Sequence, residues 1–169
     1  MTEFASGNQH AFETLYKRYK GATYRYFLRQ LDRTSAADCH QELWLKIIKT
    51  KKRYKSRGKF SGYLFQLAHT TTMDHFRRHT AKEGNWQDLQ PENLITDGQI
   101  DALEQAQTAK KLTTLIRALP VAQRSALIMK AESGMSLKDI AKACDASEEG
   151  IKSRLRYAVA KLRTGMQES

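Results

Sequence analysis

Cysteine is nearly missing from this 169-residue chain: Cys39 and Cys144 are isolated, with no CxxC or CxH spacing around either. That argues against a disulfide framework or a cysteine-based zinc site, and two lone thiols fit a reducing, cytoplasmic setting. Proline is as scarce, Pro91 and Pro120 only, so each marks a particular place. No apolar run approaches the roughly 18 residues of a membrane span, and the N-terminus lacks a signal-like apolar stretch, so no membrane insertion is expected. Strand-like alternation of polar and apolar residues is also lacking, which leaves an all-α class. Acid is the charge in short supply. With 18 Asp/Glu against 29 Lys/Arg the formal net charge is +11, which suits a polyanionic partner.

What is present is unevenly spread. Residues 1–80 hold 16 Lys/Arg against 6 Asp/Glu, residues 81–107 hold 1 against 6, and residues 108–169 hold 12 against 6. The pattern predicts two small basic helical domains, 1–80 and 108–169, joined by a flexible acidic linker, 81–107. Gly84, Asn85, Pro91, Glu92, Asn93, Asp97 and Gly98 give that segment the composition of a tether. Its 27 residues could reach at most about 90 Å.

In the first domain Phe12, Leu15, Tyr16, Tyr19, Tyr26 or Phe27, and Leu31 keep helical spacing, predicting one helix to about Asp32. A second helix is expected from Ser35, as cap, to Lys49, with Leu43, Trp44, Ile47 and Ile48 as its apolar set. Its polar face shows Asp38, Gln41, Glu42 and Lys46. A Lys- and Arg-rich loop around Tyr54 runs from Lys49 to Lys59, with Gly58 allowing a bend. A third helix follows, Phe60 to about His79, burying Phe60, Leu64, Leu67 or Ala68, and Phe76. Cations beside aromatic and small polar groups are what single-stranded DNA binding asks for, although a solvated basic loop has the same composition.

The second domain carries a sharper pattern. Pro120 suits a helix start and Gly134 a helix stop, and Ser136 with Asp139 resembles a capping box. Cys144, Asp145 and Ala146 make a short turn, with Asp145 in the left-handed place where many such turns have Gly. Ser147 can cap a last helix that packs by Ile151, Leu155, Val159 and Leu162. That helix shows Glu149, Lys152, Ser153, Arg156 and Arg163 on its other face. Two short helices so spaced are a helix-turn-helix pattern, suited to a DNA major groove.

Together the motifs resemble a known family. Ala11-Phe12-Glu13-Thr14-Leu15-Tyr16-Lys17-Arg18-Tyr19, Asp38-Cys39-His40-Gln41-Glu42-Leu43-Trp44, Phe60-Ser61-Gly62-Tyr63-Leu64-Phe65-Gln66-Leu67-Ala68 and Asp74-His75-Phe76-Arg77-Arg78 are similar to region 2 of bacterial extracytoplasmic-function (ECF) sigma factors, group 4 of the sigma-70 family. Leu119-Pro120, Gln123-Arg124, Gly134-Met135-Ser136-Leu137-Lys138-Asp139-Ile140-Ala141 and Ile151-Lys152-Ser153-Arg154-Leu155 resemble region 4. The resemblance implies a promoter-specificity subunit of RNA polymerase without catalytic activity of its own and without a cofactor or metal. It implies docking of Asp38, Gln41, Glu42, Leu43 and Lys46 on the clamp helices of the polymerase's largest subunit, and of region 4 near the flap of the second largest. It implies reading and melting of the minus-ten element by Tyr54, Arg57, Lys59, Tyr63, His69, Thr70, Arg77 and Arg78. Duplex reading of the minus-thirty-five element falls to Ser147, Glu149, Lys152, Ser153, Arg156 and Tyr157, and an anti-sigma factor is an implied regulatory partner.

Some positions depart from the family pattern. Only Asp38 is acidic at the start of the second helix, so phosphorylation of Thr34 or Ser35 would restore negative charge there. Arg156 stands where an aromatic is common. Two rival readings start from single motifs. A stand-alone helix-turn-helix regulator accounts for 119–162 and leaves the first domain without a purpose. A metal enzyme built on His75 and His79, spaced i, i+4, lacks a neighbouring Glu.

Overall fold

Asn8 opens the first long helix: its side-chain oxygen accepts from the Ala11 N–H at 3.2 Å, satisfying one of the amides that a helix start leaves bare. The computed structural model describes residues 1–55, 59–83 and 103–167, and the described residues are helical throughout their regular structure. In order they form α1 (Thr2–Ala5), α2 (Gln9–Leu28), α3 (Arg33–Thr50), a 3-10 turn (Lys51–Arg53), α4 (Phe60–Glu83), α5 (Leu103–Arg117), α6 (Val121–Ser133), α7 (Leu137–Ala143) and α8 (Glu148–Gln167).

Helices α2, α3 and α4 pack on one another around Tyr26, Phe27, Leu43, Ile47, Leu64 and Phe65, each essentially inaccessible to water. Helices α5 to α8 form a second group around Ile128, Met129, Ile140 and Ile151. The two groups touch: α6 packs against α2 and α4, and α7 packs against α4.

Several expectations shift. The cap of α3 is Asp32 rather than Ser35, because the Asp32 carboxylate accepts from the Ser35 N–H at 3.0 Å and starts the helix earlier. The first long helix accordingly stops at Leu28, since Asp32 must be extended to act as that cap. Ile48 faces water at 40% exposure, while Ala36 and Cys39 join the α3 core. On α8 the inward stripe runs through Ile151, Leu155, Ala158 and Leu162, so Ala158 takes the place expected of Val159, which is 46% exposed. Helices α4 and α5 also extend into the acidic segment from both sides, to Glu83 and from Leu103. The rest of that segment lies outside the described residues.

The helix-turn-helix chemistry matches its sequence signals. Gly134 stops α6 with φ +59°, a left-handed conformation that costs any residue with a Cβ. Ser136 Oγ accepts from the Asp139 N–H at 3.1 Å and donates to the Asp139 carboxylate at 2.7 Å. Asp145 turns the chain at φ +49°. Ser147 Oγ then accepts from the Gly150 N–H at 3.0 Å, which starts α8.

Candidate nucleic-acid and polymerase interfaces

On α3, Asp38 and Gln41 are exposed and Glu42 and Lys46 are half-buried. Leu43 is fully buried, because its position on the helix points into the α2–α4 core, so it belongs to the core and to no docking face. Leu45 and Ile48, at 45% and 40% exposure, supply the apolar part of the outer strip instead. Sequence spacing held the clue for Leu45, which falls off the Leu43–Trp44–Ile47 stripe.

Glu42 is not a free carboxylate. Lys46 Nζ lies 2.8 Å from it and Arg78 Nη2 3.1 Å, and Lys46 also lies 3.8 Å from Asp74. Burial pulls the Glu42 carboxyl upward, but the hydrogen bonds from Lys46 and Arg78 outweigh this and leave its pKa below the ordinary value. Arg77 pairs with Asp74 at 2.7 Å. Exposed pairs contribute little one by one, but this network ties α3 to α4 and fixes the strip's orientation. Arg78, expected on the minus-ten face, is therefore paired with Glu42 of α3.

Beside the strip lies a cleft of about 410 Å³ lined by Ser35, Asp38, Cys39, Glu42, His75, Arg78 and His79. The His75 and His79 rings are 4.2 Å apart, and burial, then the neighbouring His79 and Arg78, lowers the His75 pKa. Among the described residues no group of three or more His, Cys, Asp or Glu is placed to hold a metal ion.

The basic turn brings aromatics together. Tyr54, Phe60 and Tyr63 pack in a trio with centroids 5.0 to 6.2 Å apart, and Tyr19 meets Phe60 edge-on at 5.5 Å. The Tyr63 hydroxyl is hydrogen-bonded to Thr50 Oγ1 at 3.3 Å. Lys52, Arg53, Lys55 and Lys59 are exposed around the trio, and Arg57 lies outside the described residues. Lys51 Nζ sits 4.7 Å over the ring of buried Phe4, so α1 braces the root of this turn.

Further along α4, Thr70 is exposed and His69 is half-buried. His69 Nδ1 is hydrogen-bonded to the hydroxyl of fully buried Tyr26 at 3.2 Å. Burial, then the positive charge of Arg154, pushes the His69 pKa down to about 4. Burial also raises the Tyr26 pKa, so a neutral phenol faces a neutral imidazole across this bond.

On α8, Glu149, Lys152, Arg156 and Tyr157 are exposed and Ser153 is half-buried. Lys152 donates to Glu149 at 3.2 Å, and the Arg156 guanidinium lies 5.4 Å from the Tyr157 ring, itself 55% exposed. Ser147, already engaged as the cap, is exposed at the start of the same face.

Comparison with known proteins returns one pattern from end to end. Residues 12–82 match the family model described as sigma-70 region 2, and residues 109–162 that described as sigma-70 region 4. The ECF RNA polymerase sigma factor SigC of Mycobacterium tuberculosis is 30% identical over 154 residues, spanning 91% of this chain and 82% of that protein. Among solved structures, the sigma factor RpoE in complex with the anti-sigma factor NepR from Bartonella quintana aligns with TM-score 0.76 and 18% identity, over 94% of this chain and 98% of that one. CnrH in complex with the cytosolic domain of CnrY aligns with TM-score 0.68 and 22% identity, over 98% of this chain and 94% of that one. At these identities the structural likeness speaks for the fold.

Proposed function

Starting from the premise that this chain belongs to the ECF group of bacterial sigma-70 factors, we propose how its parts share the work of directing RNA polymerase to promoters. Domain 1–80 is the region 2 half and domain 108–169 the region 4 half, with 81–107 between them. The α3 strip of Asp38, Gln41, Leu45 and Ile48 docks on the clamp helices of the polymerase. Its mix of apolar and polar groups suits a protein surface better than a phosphate backbone.

The Tyr54–Phe60–Tyr63 trio, with the exposed Lys52, Arg53, Lys55 and Lys59 beside it in the chain, holds the opened strand of the minus-ten element. Ring faces accept any unstacked base, and the cations follow the phosphates. The α8 face of Lys152, Arg156 and Tyr157 enters the major groove at the minus-thirty-five element. The chain performs no catalysis itself and works in the cytoplasm. No helix among the described residues is long and apolar enough to cross a membrane. Both solved neighbours are held by another protein, NepR being named an anti-sigma factor, which supports a comparable regulator here.

The observation that carries this reading is the aromatic trio set in exposed cations, for which a duplex-binding regulator has no use. Permanganate probing of promoter thymines tests it. Holoenzyme carrying Tyr54→Ala and Tyr63→Ala should bind the promoter and leave minus-ten thymines unreactive. Reactivity equal to the unmodified protein would remove the assignment.

A further inference from the structure

Helix α1 precedes the stretch that matches sigma-70 region 2, which begins at residue 12. It is nonetheless built into the molecule. Its Phe4 is 4% exposed, and the Phe4 ring lies 4.9 Å from that of Phe12 on α2. Phe12 in turn meets Trp44 of α3 edge-on at 5.9 Å. Main-chain bonds close the turn from α1 into α2: the Gly7 N–H donates to the Phe4 carbonyl at 3.1 Å, and the Asn8 N–H to the Glu3 carbonyl at 3.0 Å. Gly7 stands at φ +108°, which strains any residue with a Cβ, so this glycine sets the angle at which α1 folds back on the bundle.

From Phe4 the contacts run on to the basic turn. Lys51 Nζ sits over the Phe4 ring at 4.7 Å, and the Lys51 carbonyl accepts from the Tyr54 N–H at 3.3 Å, closing the 3-10 turn. Tyr54 belongs to the aromatic trio, 5.0 Å from Tyr63. Next to Lys51, Thr50 Oγ1 donates to the Lys46 carbonyl and is hydrogen-bonded to the Tyr63 hydroxyl. The turn is thus pinned twice, by α1 at Lys51 and by α4 at Thr50. Lys51 itself is half-buried over a ring, unlike the exposed Lys52, Arg53 and Lys55 that follow it.

A stacking surface takes up a flexible strand most tightly when its rings and cations are already in place, because otherwise binding must also order them. An ammonium held over a buried ring supplies such order at small cost, since the attraction grows as water is excluded from the pair.

We propose that Phe4 is a positioning residue for promoter opening. Through Lys51 it holds the basic turn, Tyr54 included, where the unpaired strand binds, and it touches no DNA itself. Helix α1 thereby belongs to the minus-ten apparatus although it lies outside the matched family pattern. The proposal rests on the strand-binding reading of the turn given above.

Binding of holoenzyme to two DNA probes tests it. One is a single-stranded oligonucleotide of the non-template minus-ten region, the other a duplex of the minus-thirty-five element alone, both from a promoter whose start has been mapped. Phe4→Ala and, separately, Lys51→Gln should each weaken oligonucleotide binding several-fold and leave duplex and core polymerase affinity unchanged. Lys51→Arg, which keeps a cation over the ring, should retain oligonucleotide binding. In the double variant the two losses should not multiply, since both act through one contact. Lys51→Gln changes only a half-buried side chain, so the test stands even if Phe4→Ala unfolds α1. Oligonucleotide affinity unchanged in both single variants, losses that multiply, or an equal fall in duplex and core binding would each overturn the brace. Tyr54→Ala with Tyr63→Ala separates the two claims. A loss there with none from Phe4→Ala or Lys51→Gln refutes the brace alone. A loss from Phe4→Ala with none from the tyrosine pair refutes the stacking role of the trio alone.

Discussion

His69 shows how a single side chain links stability to pH. Its folded-state pKa of about 4 lies below the ordinary 6.5, so protonation favours the unfolded chain. The stabilisation from the neutral ring is complete above about pH 6.5 and is lost as pH falls toward 4. His69→Asn should therefore reduce the fall in melting temperature over that range, while His40 and His75, also lowered by burial, maintain part of it. An unchanged pH–melting curve would contradict this placement. At the DNA face, Arg156→Ala should cost about 1–3 kcal/mol at the upstream element and relax choice at one base position. Gel-shift titrations on single-base variants check it. An even loss across all sequences would make Arg156 a phosphate contact.

At the scale of elements, the caps and stops carry the helix-turn-helix. Ser136→Ala removes both the cap and its reciprocal bond to Asp139, and should lower stability by about 1 kcal/mol in a chemical melt. On α3, Leu45→Glu with Ile48→Glu alters two exposed positions, so the melting temperature should hold while core polymerase affinity drops. Unaltered affinity would move the docking face elsewhere. Much of this was legible from local signals. Gly134, Ser136, Asp145 and Ser147 act within a few residues, and local chemistry decides them. Failures came where partners are distant. Periodicity put Leu43 in the apolar set but could not tell Val159 from Ala158 or turn Ile48 outward, because neighbouring helices choose the inward face. Nothing local marks Arg78 for Glu42, thirty-six residues away, or Glu132 for Arg25.

For the whole molecule, the two helical groups and the spacing between them set what the chain can reach. The stretch between the described helices, from Glu83 to Leu103, is shorter than the acidic segment, since helices take up both of its ends. Deleting ten of those residues leaves a tether of at most about 30 Å. Such a variant should still bind core polymerase and lose promoters with their ordinary element spacing. Equal transcription from them would show that the segment does not set reach. The region 2 and region 4 motifs were readable as separate sequence patterns, although their buried apolar residues join one cluster. Their contact was not, because it depends on buried polar pairs that look like ordinary surface residues in the sequence.

The central claim is that one half opens the promoter while the other reads closed duplex upstream. Mapping RNA 5′ ends made by core polymerase with the purified chain on a promoter library tests it most directly. The account predicts discrete starts downstream of two spaced motifs, with Arg156→Ala altering the upstream motif and Tyr54→Ala with Tyr63→Ala abolishing initiation. Starts that ignore both sets of substitutions, or no defined starts from the unmodified chain, would contradict it.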